Sequence, residues 1–416
     1  MKKTGNLICS LLLAGSIFFS CGWPGRVRAG VTIGGVEVGG MTYADAERAV
    51  RDVYEVPFVL HSPAGDFMPE ISYSDNLSVL VRRAEKGASL MPQMRREWID
   101  AEQDLENVCA KCVREPVNAT LSFTADGFSY TKERAGVYCD YAATLAAVRT
   151  ALRQGKNEAA LVTRAWHPDV TEQQLRDRTR LLAAFSTYFD ASKTARVHNI
   201  SLACARIAGV RVEPGAEFSF NSVVGERTKA NGFLDAAVIL NGEFVQGTGG
   251  GVCQASTTLM GAALRAGLSV TESHPHSLSV GYVPPSQDAM VSRYSDLKFR
   301  NPYAFPVYLL AEVKANRVTF QIYGAPDGRR YEPESYVLSY IDPPPAEVTE
   351  GEEDRTVRAE KQGIRSEIYL IVYDAGGRIV SRRLLRRDTY AAVQGVYIVK
   401  RSQEEEKTAD EQSPDP

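Results

Sequence analysis

The spacing of hydrophobic residues along the chain changes repeatedly between the period of a strand and that of a helix. Residues 31–41 alternate as a strand does, and the next segment places Ala46, Ala49 and Val53 on one face of a helix that Thr42 can cap. The same criteria predict strands at 57–60 and 70–73, a helix at 77–90, two strands within 116–130 and an amphipathic helix at 141–153. The first part of the chain is therefore predicted to be α+β.

The central part of the chain continues with mixed elements. Thr171 and Gln174 have the spacing of a capping box, which predicts a helix reaching Asp190, and a second helix is predicted at 195–208. The Asn241-Gly242 dipeptide suits a type I′ turn and predicts a hairpin around it. Strands are predicted at 217–224, 236–240, 243–246, 277–283, 297–300, 307–313 and 318–323.

The C-terminal part shows strand patterns alone, at 367–373, 378–385 and 393–400, after a proline-rich and acidic linker at 342–345 and 350–354. The predicted fold class is a multidomain α+β protein whose central domain packs a buried, cysteine-bearing helix on an antiparallel sheet, followed by a small all-β module. The predicted limits are a leader at 1–29, an α+β region at 30–168, a central domain at 169–330, a β module at 335–400 and a disordered tail at 401–416.

The segment 249–267 carries the first candidate chemistry. Gly249, Gly250 and Gly251 leave the backbone free to adopt positive φ and to approach a ligand, and a largely apolar helix follows. Cys253 then lies at the positive end of that helix, but the dipole alone lowers a cysteine pKa by less than about one unit. A reactive thiolate therefore requires a nearby imidazole. The alternative is that Cys253 is a small core residue behind a glycine-rich turn.

His274 and His276 follow that helix and are the candidate imidazoles. If residues 277–283 form a strand, His276 shares a face with Leu278 and Val280 and points towards the helix, whereas His274 lies beyond Pro275. His276 is therefore the preferred partner of Cys253. The alternative is that two histidines around a proline form a polar turn.

The N-terminus has the layout of a secretory signal: Lys2 and Lys3, an apolar run at 7–19, and a cleavage site after Ala29. The residues before Cys21 also resemble a lipoprotein signal, and an uncleaved anchor is the third alternative. All three predict an exported, extracytoplasmic protein associated with the membrane or the cell wall. A net charge of −3 without a basic stripe argues against nucleic acid as a partner.

Seven cysteines occur, of which Cys9 and Cys21 belong to the signal region. Among the other five, an oxidising compartment can pair at most four, and Cys253 is the expected unpaired one. Cys109 and Cys112 have CxxC spacing, but neither a second CxxC nor clustered histidines complete a zinc site, so disulfides or buried thiols are expected. We predict no metal and no cofactor.

The central domain resembles the VanW family, named for a vancomycin-resistance gene cluster. The resemblance rests on FSFN at 218–221, VGERT at 224–228, GGGVCQAST at 249–257, HPHS at 274–277, YVP at 282–284 and DLKF at 296–299. Ser273 and Ser286 depart from it, since the family usually has arginine and glycine there. The resemblance implies a cell-wall protein, and L,D-transpeptidation by a cysteine, a role that falls on Cys253.

Weaker resemblances flank this domain. VEVGGMT at 36–42 and GVYCD at 136–140 are similar to a peptidoglycan-binding domain found ahead of cell-wall cross-linking modules, and the C-terminal strands are similar to a G-five domain. The order of cysteine helix, histidine strand and aspartate is similar to that of transglutaminase-like and papain-like enzymes, which is an analogy of order alone.

Acyl transfer by a thiol needs a proton shuttle, a group that orients it, and donors for the oxyanion. We predict Cys253 as nucleophile, His276 or His274 as base, and Asp288 as the orienting group, with Asp296 as its substitute. The predicted substrate-binding residues are Gly249, Gly250, Gly251, Gln254, Ser256, Thr257 and Arg227, and the predicted partner is a peptidoglycan stem peptide. Two alternatives remain: a non-catalytic wall-binding protein associated with wall assembly or glycopeptide resistance, and a thiol–disulfide or metal protein of the envelope.

Overall fold

The computed structural model describes residues 25–240 and 243–400, which form two compact units. Residues 25–117 and 134–168 make up the first unit, and residues 118–133 together with those from 169 onward make up the second. Residues 118–133 thus lie within the range predicted for the first region but pack in the second unit. Most of the predicted leader, the predicted tail and the Asn241-Gly242 turn lie outside the described residues.

The helices of the described chain are α1 Tyr43–Tyr54, α2 Leu77–Arg83, α3 Ala101–Cys112, α4 Tyr141–Arg153, α5 Glu172–Asp177, α6 Thr194–Ile207, α7 Phe220–Val224 and α8 Val252–Arg265, with a 3₁₀ turn at Lys229–Asn231. None of these helices has the length and apolar character needed to cross a membrane.

The strands of the first two thirds of the chain are β1 Thr32–Ile33, β2 Val36–Glu37, β3 Val59–His61, β4 Ile71–Asp75, β5 Ser89–Leu90, β6 Met94–Trp98, β7 Thr120–Thr124, β8 Gly127–Thr131, β9 Gly136–Cys139, β10 Glu158–Ala160, β11 Thr163–Trp166, β12 Arg180–Tyr188, β13 Val210–Val212, β14 Glu217–Ser219, β15 Asp235–Leu240, β16 Glu243–Thr248 and β17 Ser269–Glu272. The later strands are β18 Lys298–Arg300, β19 Val307–Lys314, β20 Arg317–Gly324, β21 Arg330–Ile341, β22 Glu347–Gly351, β23 Arg355–Arg358, β24 Gly363–Tyr373, β25 Ile379–Tyr390 and β26 Val396–Lys400.

The first unit contains two separate hydrophobic cores beneath small sheets of two or three strands. One core forms around α1, where Thr42 accepts a hydrogen bond from the Asp45 N–H as the predicted cap, and Ala46 and Val50 are buried. The other joins α3 and α4 and contains Cys109, Cys112 and Cys139. The amphipathic helix α4 has the predicted limits, whereas α2 ends at Arg83, seven residues earlier than predicted.

The second unit is built on an antiparallel sheet of order β12-β20-β19-β13. Helix α8 packs on β12 and β20, and its residues from Gln254 to Leu264 are all buried. A helix that is apolar on most of its circumference has to be enclosed on all sides, and α6, β17 and β21 supply further contacts. The predicted cysteine-bearing helix on an antiparallel sheet is therefore present.

Three predicted elements of this unit are wrong. The Thr171–Gln174 capping box forms, but its helix ends at Asp177, because residues 180–188 pair with β20 and bring Phe185 against α8 at Gly261. The predicted strand at 217–224 ends at Ser219, whose side chain caps α7. Residues 277–283 form an irregular loop rather than a strand. For residues 180–188, tertiary pairing overrides the local helical pattern.

The described part of the C-terminal module is built from strands joined by loops and turns, and it forms two three-stranded sheets, of order β21-β24-β25 and β22-β26-β23. Strand β21 pairs along its length with β24, so the module begins near residue 330 and includes residues that were predicted as a linker. Ile368 and Leu370 of β24 join the hydrophobic core of α8. The module and the sheet that carries α8 therefore share one core.

Candidate active site

The turn that leads into α8 has a backbone conformation and close contacts that require glycine. Gly251 is the N-cap residue with φ 104°, in the left-handed region, and a Cβ there would lie 2.8 Å from Arg196 Cγ. A Cβ on Gly250 would lie 2.6 Å from the Ala237 carbonyl oxygen, so only glycine fits at this position. The turn places Cys253 in the first turn of α8, as the sequence predicts.

A buried histidine–aspartate pair lies beside this helix. His276 Nδ1 is 2.6 Å from Asp288 Oδ2, and the His276 main-chain N–H donates to the same oxygen at 2.7 Å. Since an ionised carboxylate only accepts, Nδ1 carries the proton and Nε2 is left for the thiol. Asp288 is fully buried and His276 is 7% exposed. The two residues come from a loop, so the predicted strand is not what orients the imidazole.

The Cys253 thiol is partly exposed and adjoins His276. Its Sγ also lies 3.5 Å from the Val291 N–H. Burial raises the pKa of Cys253, but the His276 imidazolium, the Val291 N–H and the Arg227 charge together lower it by more, so that the pKa falls below its ordinary value. This environment favours the thiolate.

The pKa of His276 moves in the opposite direction. Burial lowers it, but the hydrogen bond to Asp288 and the interaction with Cys253 raise it to about 9. The pKa of Asp288 lies below its usual range, because the hydrogen bonds from His276 and Tyr390 outweigh the effect of burial. The directions of these three pKa shifts favour a thiolate, an imidazolium and a carboxylate in sequence.

The other histidine and the other aspartate serve different contacts. His274 Nε2 lies 3.1 Å from Glu272 Oε1, and this carboxylate also binds Lys298. Asp296 accepts hydrogen bonds from the Ser219 hydroxyl and from the Asn221 and Leu297 N–H groups. His276 and Asp288 are thus the pair that lies beside Cys253. Asp296 stabilises the start of α7 by these hydrogen bonds and does not orient an imidazole.

Three predicted substrate-binding side chains of α8 are engaged in internal hydrogen bonds. Gln254 accepts from Arg196 and donates to Thr187 Oγ1 and to the Tyr188 carbonyl. The Ser256 hydroxyl donates to the Ala289 carbonyl, and the Ala289 N–H donates to Thr257 Oγ1. Ser256 and Thr257 are completely buried and point to the segment after Asp288, not to a ligand. Their hydroxyls fix the distance between α8 and that aspartate.

A cavity of about 940 Å³ opens in front of Cys253 and His276. Gly249, Gly250, Gly251, Gln254 and Arg227, all predicted to bind substrate, line it. Arg227 donates to Asn221 Oδ1 at 2.8 Å, and burial lowers the pKa of its guanidinium. The charged side chains of the lining are Lys193, Arg196, Arg227, Arg293 and Lys361 against Asp190 and Glu226. The excess of cations favours an anionic ligand.

Sequence reasoning missed two side chains of the site, Arg386 and Tyr390 of β25. Tyr390 Oη donates to Asp288 Oδ1 at 2.5 Å, and Arg386 Nη2 donates to the Asp288 carbonyl at 2.6 Å. Both departures from the family pattern, Ser273 and Ser286, contact Arg386 as well. No local pattern reveals such contacts, because about a hundred residues separate the partners in sequence.

All five cysteines in the described part of the chain are unpaired: Cys109, Cys112, Cys139 and Cys204 are buried, and Cys253 is partly exposed. Residues 25–240 and 243–400 contain no group of three or more histidine, cysteine, aspartate or glutamate side chains suited to a metal ion.

Comparison with known proteins extends the sequence resemblance. The family model described as "VanW like protein" matches residues 195–323, and the model described as "Putative peptidoglycan binding domain" matches residues 73–160. The chain is 36% identical over 218 residues to the Uncharacterized protein YoaR of Bacillus subtilis (strain 168), a match that covers 52% of this chain and 71% of that protein. It is 31% identical over 112 residues to the Vancomycin B-type resistance protein VanW of Enterococcus faecalis (strain ATCC 700802 / V583), covering 26% of this chain and 41% of that protein.

Two solved G5 domains also resemble a short part of the chain. The IgA1 protease G5 domain is 22% identical, with a TM-score of 0.14, and covers 18% of this chain and 92% of that domain. The HP0197-G5 structure is 12% identical, with a TM-score of 0.10, and covers 17% of this chain and 97% of that structure. The resemblances stated from the sequence to the VanW family and to a peptidoglycan-binding domain are confirmed by the family models and the two relatives.

Proposed function

The chain belongs to the VanW family and is a cell-wall-related protein of the envelope, and we propose that it is a cysteine acyltransferase that acts on peptidoglycan stem peptides as an L,D-transpeptidase or carboxypeptidase. The observation that carries this proposal is the buried His276–Asp288 pair beside a thiol of lowered pKa, at the end of a cavity large enough for a peptide. A core cysteine has no need of such partners.

In the proposed reaction the Cys253 thiolate attacks the carbonyl carbon of the peptide bond that joins the third and fourth residues of a stem peptide. The His276 imidazolium gives its proton to the departing amine of the fourth residue, which leaves a thioester on Cys253. Neutral His276 then takes a proton from the amine of a second stem while that nitrogen attacks the thioester carbonyl. The Cys253 thiolate departs, and the starting thiolate and imidazolium are restored. Water as the acceptor gives a carboxypeptidase. Asp288 keeps the imidazole in one tautomer throughout.

The oxyanion of the tetrahedral intermediate needs main-chain donors near Cys253. The N–H groups of Val252 and Gln254 already donate to the carbonyls of Gly249 and Gly251. The N–H of Cys253, in the first turn of α8, is therefore the proposed donor, and the positive end of the helix supports it.

The charge of the cavity supports an acidic stem peptide as substrate. Five cationic side chains face two carboxylates in its lining, and Arg227 influences Cys253 electrostatically, which places its charge within range of a substrate bound at the thiol. We propose that Arg227 binds a substrate carboxylate near the scissile bond. Export through the N-terminal signal, with membrane anchoring or a lipid at Cys21, would bring this cavity to the wall.

The test is acylation of the purified protein by a stem tetrapeptide, followed by intact mass and by product analysis. We expect an acyl-enzyme mass on the wild type and dimeric or shortened peptide as product, and neither with Cys253→Ala or His276→Ala. His274→Ala is the matched control, since it removes an imidazole two residues away and should retain product formation. Absence of both acyl-enzyme and product in the wild type would contradict the proposal.

The alternative function is a non-catalytic protein that binds peptidoglycan, and the match of residues 73–160 to a peptidoglycan-binding model favours it. Binding of the wild type and of Cys253→Ala to purified sacculi separates the two. Equal binding without product supports the alternative, whereas equal binding with product in the wild type alone assigns binding and catalysis to different parts of the chain.

A further inference from the structure

The carboxylate that holds His276 is itself held by the C-terminal module. Tyr390 Oη donates to Asp288 Oδ1 at 2.5 Å, and Arg386 Nη2 lies 3.3 Å from the same oxygen. Both side chains come from β25, the edge strand of the β21-β24-β25 sheet. Asp288 thus has His276 on one oxygen and the C-terminal module on the other.

We propose that Tyr390 and Arg386 are positioning residues of the candidate active site, so that its functional unit extends through the C-terminal module. A positioning role presupposes the proposed function. The contacts that support it act on the orientation of His276, and their effect can be tested without a substrate. A VanW domain ending with the matched residues at 323 would lack both side chains.

Tyr390 connects the carboxylate to the turn that precedes it. The side chain is 1% exposed, and its hydroxyl accepts a hydrogen bond from the Ser286 N–H at 2.7 Å while donating to Asp288. Ser286 has φ 66°, a conformation that is uncommon for residues other than glycine and needs support from its surroundings. Burial and the Asp288 charge raise the pKa of Tyr390, so its hydroxyl keeps the proton that it donates.

Arg386 joins both ends of the loop that carries His276. Its Nη1 donates to Ser273 Oγ at 3.1 Å, before the histidine, and its Nη2 donates to the carbonyls of Ser286 and Asp288 after it. Its Nε donates to Asp388 Oδ2 at 2.7 Å, which fixes the guanidinium plane. A planar group with several donors suits this task, whereas an ammonium supplies only a point charge.

A module that served only to cover α8 would require apolar contacts, and Ile368 and Leu370 already provide them. Burying a hydroxyl and a guanidinium beside a carboxylate costs free energy unless each group is hydrogen-bonded. Here each group is hydrogen-bonded: both reach the Asp288 carboxylate, and their other contacts hold the main chain at Ser286 and Asp288, the Ser273 hydroxyl and Asp388. The arrangement is therefore directed at Asp288 and not only at the shared core.

The expected electrostatic effect follows from the groups that surround the pair. The titratable and charged side chains around His276 and Asp288 are Cys253, Tyr282, Arg227, Arg386, Asp388 and Tyr390. Removal of the Tyr390 hydroxyl or of the Arg386 charge leaves the Asp288 charge less neutralised, which favours the imidazolium. We expect the pKa of His276 to rise by about one unit in Tyr390→Phe and in Arg386→Gln.

The experiment is a pH titration of the histidine ring signals by NMR, with ¹³C-histidine in the full chain. The chain has five histidines, and a His276→Gln sample assigns the signal. Arg386→Lys keeps a positive charge and should restore much of the wild-type value. Matched controls are Tyr340→Phe, an exposed tyrosine of the same module, and Arg387→Lys, whose guanidinium pairs with Glu367 at the surface; both should titrate as the wild type does.

A His276 titration in Tyr390→Phe and Arg386→Gln that coincides with the wild type would overturn the inference, as would a lowered melting temperature without any change in titration. A rise in the two variants but not in the controls supports it. The outcome is separate from that of the acylation test. Acyl transfer with an unchanged His276 titration would leave the proposed function standing and remove this inference alone.

Discussion

Two regions of the molecule place cysteine side chains in hydrophobic surroundings, and the thiol pKa shifts in opposite directions for Cys139 in one and Cys253 in the other. In the first unit, Cys109 and Cys112 lie in the last turn of α3 and pack with Cys139. Burial, together with the neighbouring thiols, raises the pKa of Cys139 to about 12. In the second unit, Cys253 lies in the first turn of α8, and its pKa is lowered although burial opposes the change.

The difference shows that the partner of a thiol decides its chemistry. The C-terminal turn of a helix disfavours an anion and the N-terminal turn favours one, but each effect is worth only about 0.3–1 kcal/mol at an exposed site. An imidazolium held by a carboxylate contributes more, and among the cysteines that the structure describes, Cys253 alone has one. The cluster of the first unit is therefore a structural core of thiols, and Cys253 is a candidate nucleophile.

The largest effect expected from this comparison is selective alkylation. At pH 7 and with limiting iodoacetamide, we expect Cys253 to react more than about 100-fold faster than Cys139 or Cys204, because the thiolate is the reactive form. Cys109 and Cys112 should also react slowly, because burial shields their side chains from the reagent. Burial raises the pKa of Cys204 to about 12 as well, so it serves as a control within the same unit. Peptide mass spectrometry of quenched samples measures each site. Equal rates at Cys253 and Cys204 would contradict the comparison.

The next effect separates the two histidines. His276→Ala removes most of the interactions that lower the pKa of Cys253, while burial, which raises that pKa, remains. The alkylation rate of Cys253 at pH 7 should therefore fall by about 10- to 100-fold. His274 is paired with Glu272, and His274→Ala should stay within about twofold of the wild type. The same alkylation assay serves both variants. A larger loss in His274→Ala would mean that the wrong imidazole has been assigned to the thiol.

A pH profile sharpens the assignment further. Acyl transfer needs the thiolate and the imidazolium together, so its rate should fall about tenfold per pH unit above a limit set by His276, whose pKa is about 9. The same raised pKa gives a contribution to the free energy of unfolding that is fully present below the ordinary histidine pKa of 6.5 and is lost as the pH rises through about 9.

Asp288→Asn is the control for that profile, because removal of the charge beside His276 should move the basic limit to lower pH. Rates and urea midpoints, each measured from pH 5 to about pH 10, provide the comparison. A wild-type rate that stays constant through pH 10 would contradict the role given to His276.

The candidate site could be predicted from the sequence to the extent that it depends on local signals. The glycine run and the apolar helix after it gave the position of Cys253, and Gly251 indeed adopts a positive φ. Strand alternation favours His276, yet residues 277–283 form a loop, so His276 lies beside the thiol for a different reason. Its orientation comes from Asp288, twelve residues later.

The contacts that complete the site were beyond prediction, because they join distant segments. Arg386 and Tyr390 lie between two predicted strands, at 378–385 and 393–400, and carry no local signal of a role at the site. Their role depends on how the C-terminal sheet packs against α8. The helix predicted to reach Asp190 failed for a related reason: residues 180–188 gain a full antiparallel partner in β20, which the local sequence does not reveal.

The smallest expected effect concerns the thiol cluster of the first unit. Cys109 is completely buried in an apolar core, so Cys109→Ser introduces a hydroxyl there and should lower the free energy of unfolding by about 1–3 kcal/mol. Alkylation of Cys253 and acyl transfer should not change, because neither depends on that core. Cys109→Ala is the matched control: it removes the sulfur without adding a polar group. Loss of acyl transfer in Cys109→Ser at a temperature where the variant is fully folded would instead favour a redox or metal role for the cluster. The purely structural role assigned to the thiols of the first unit would then be wrong.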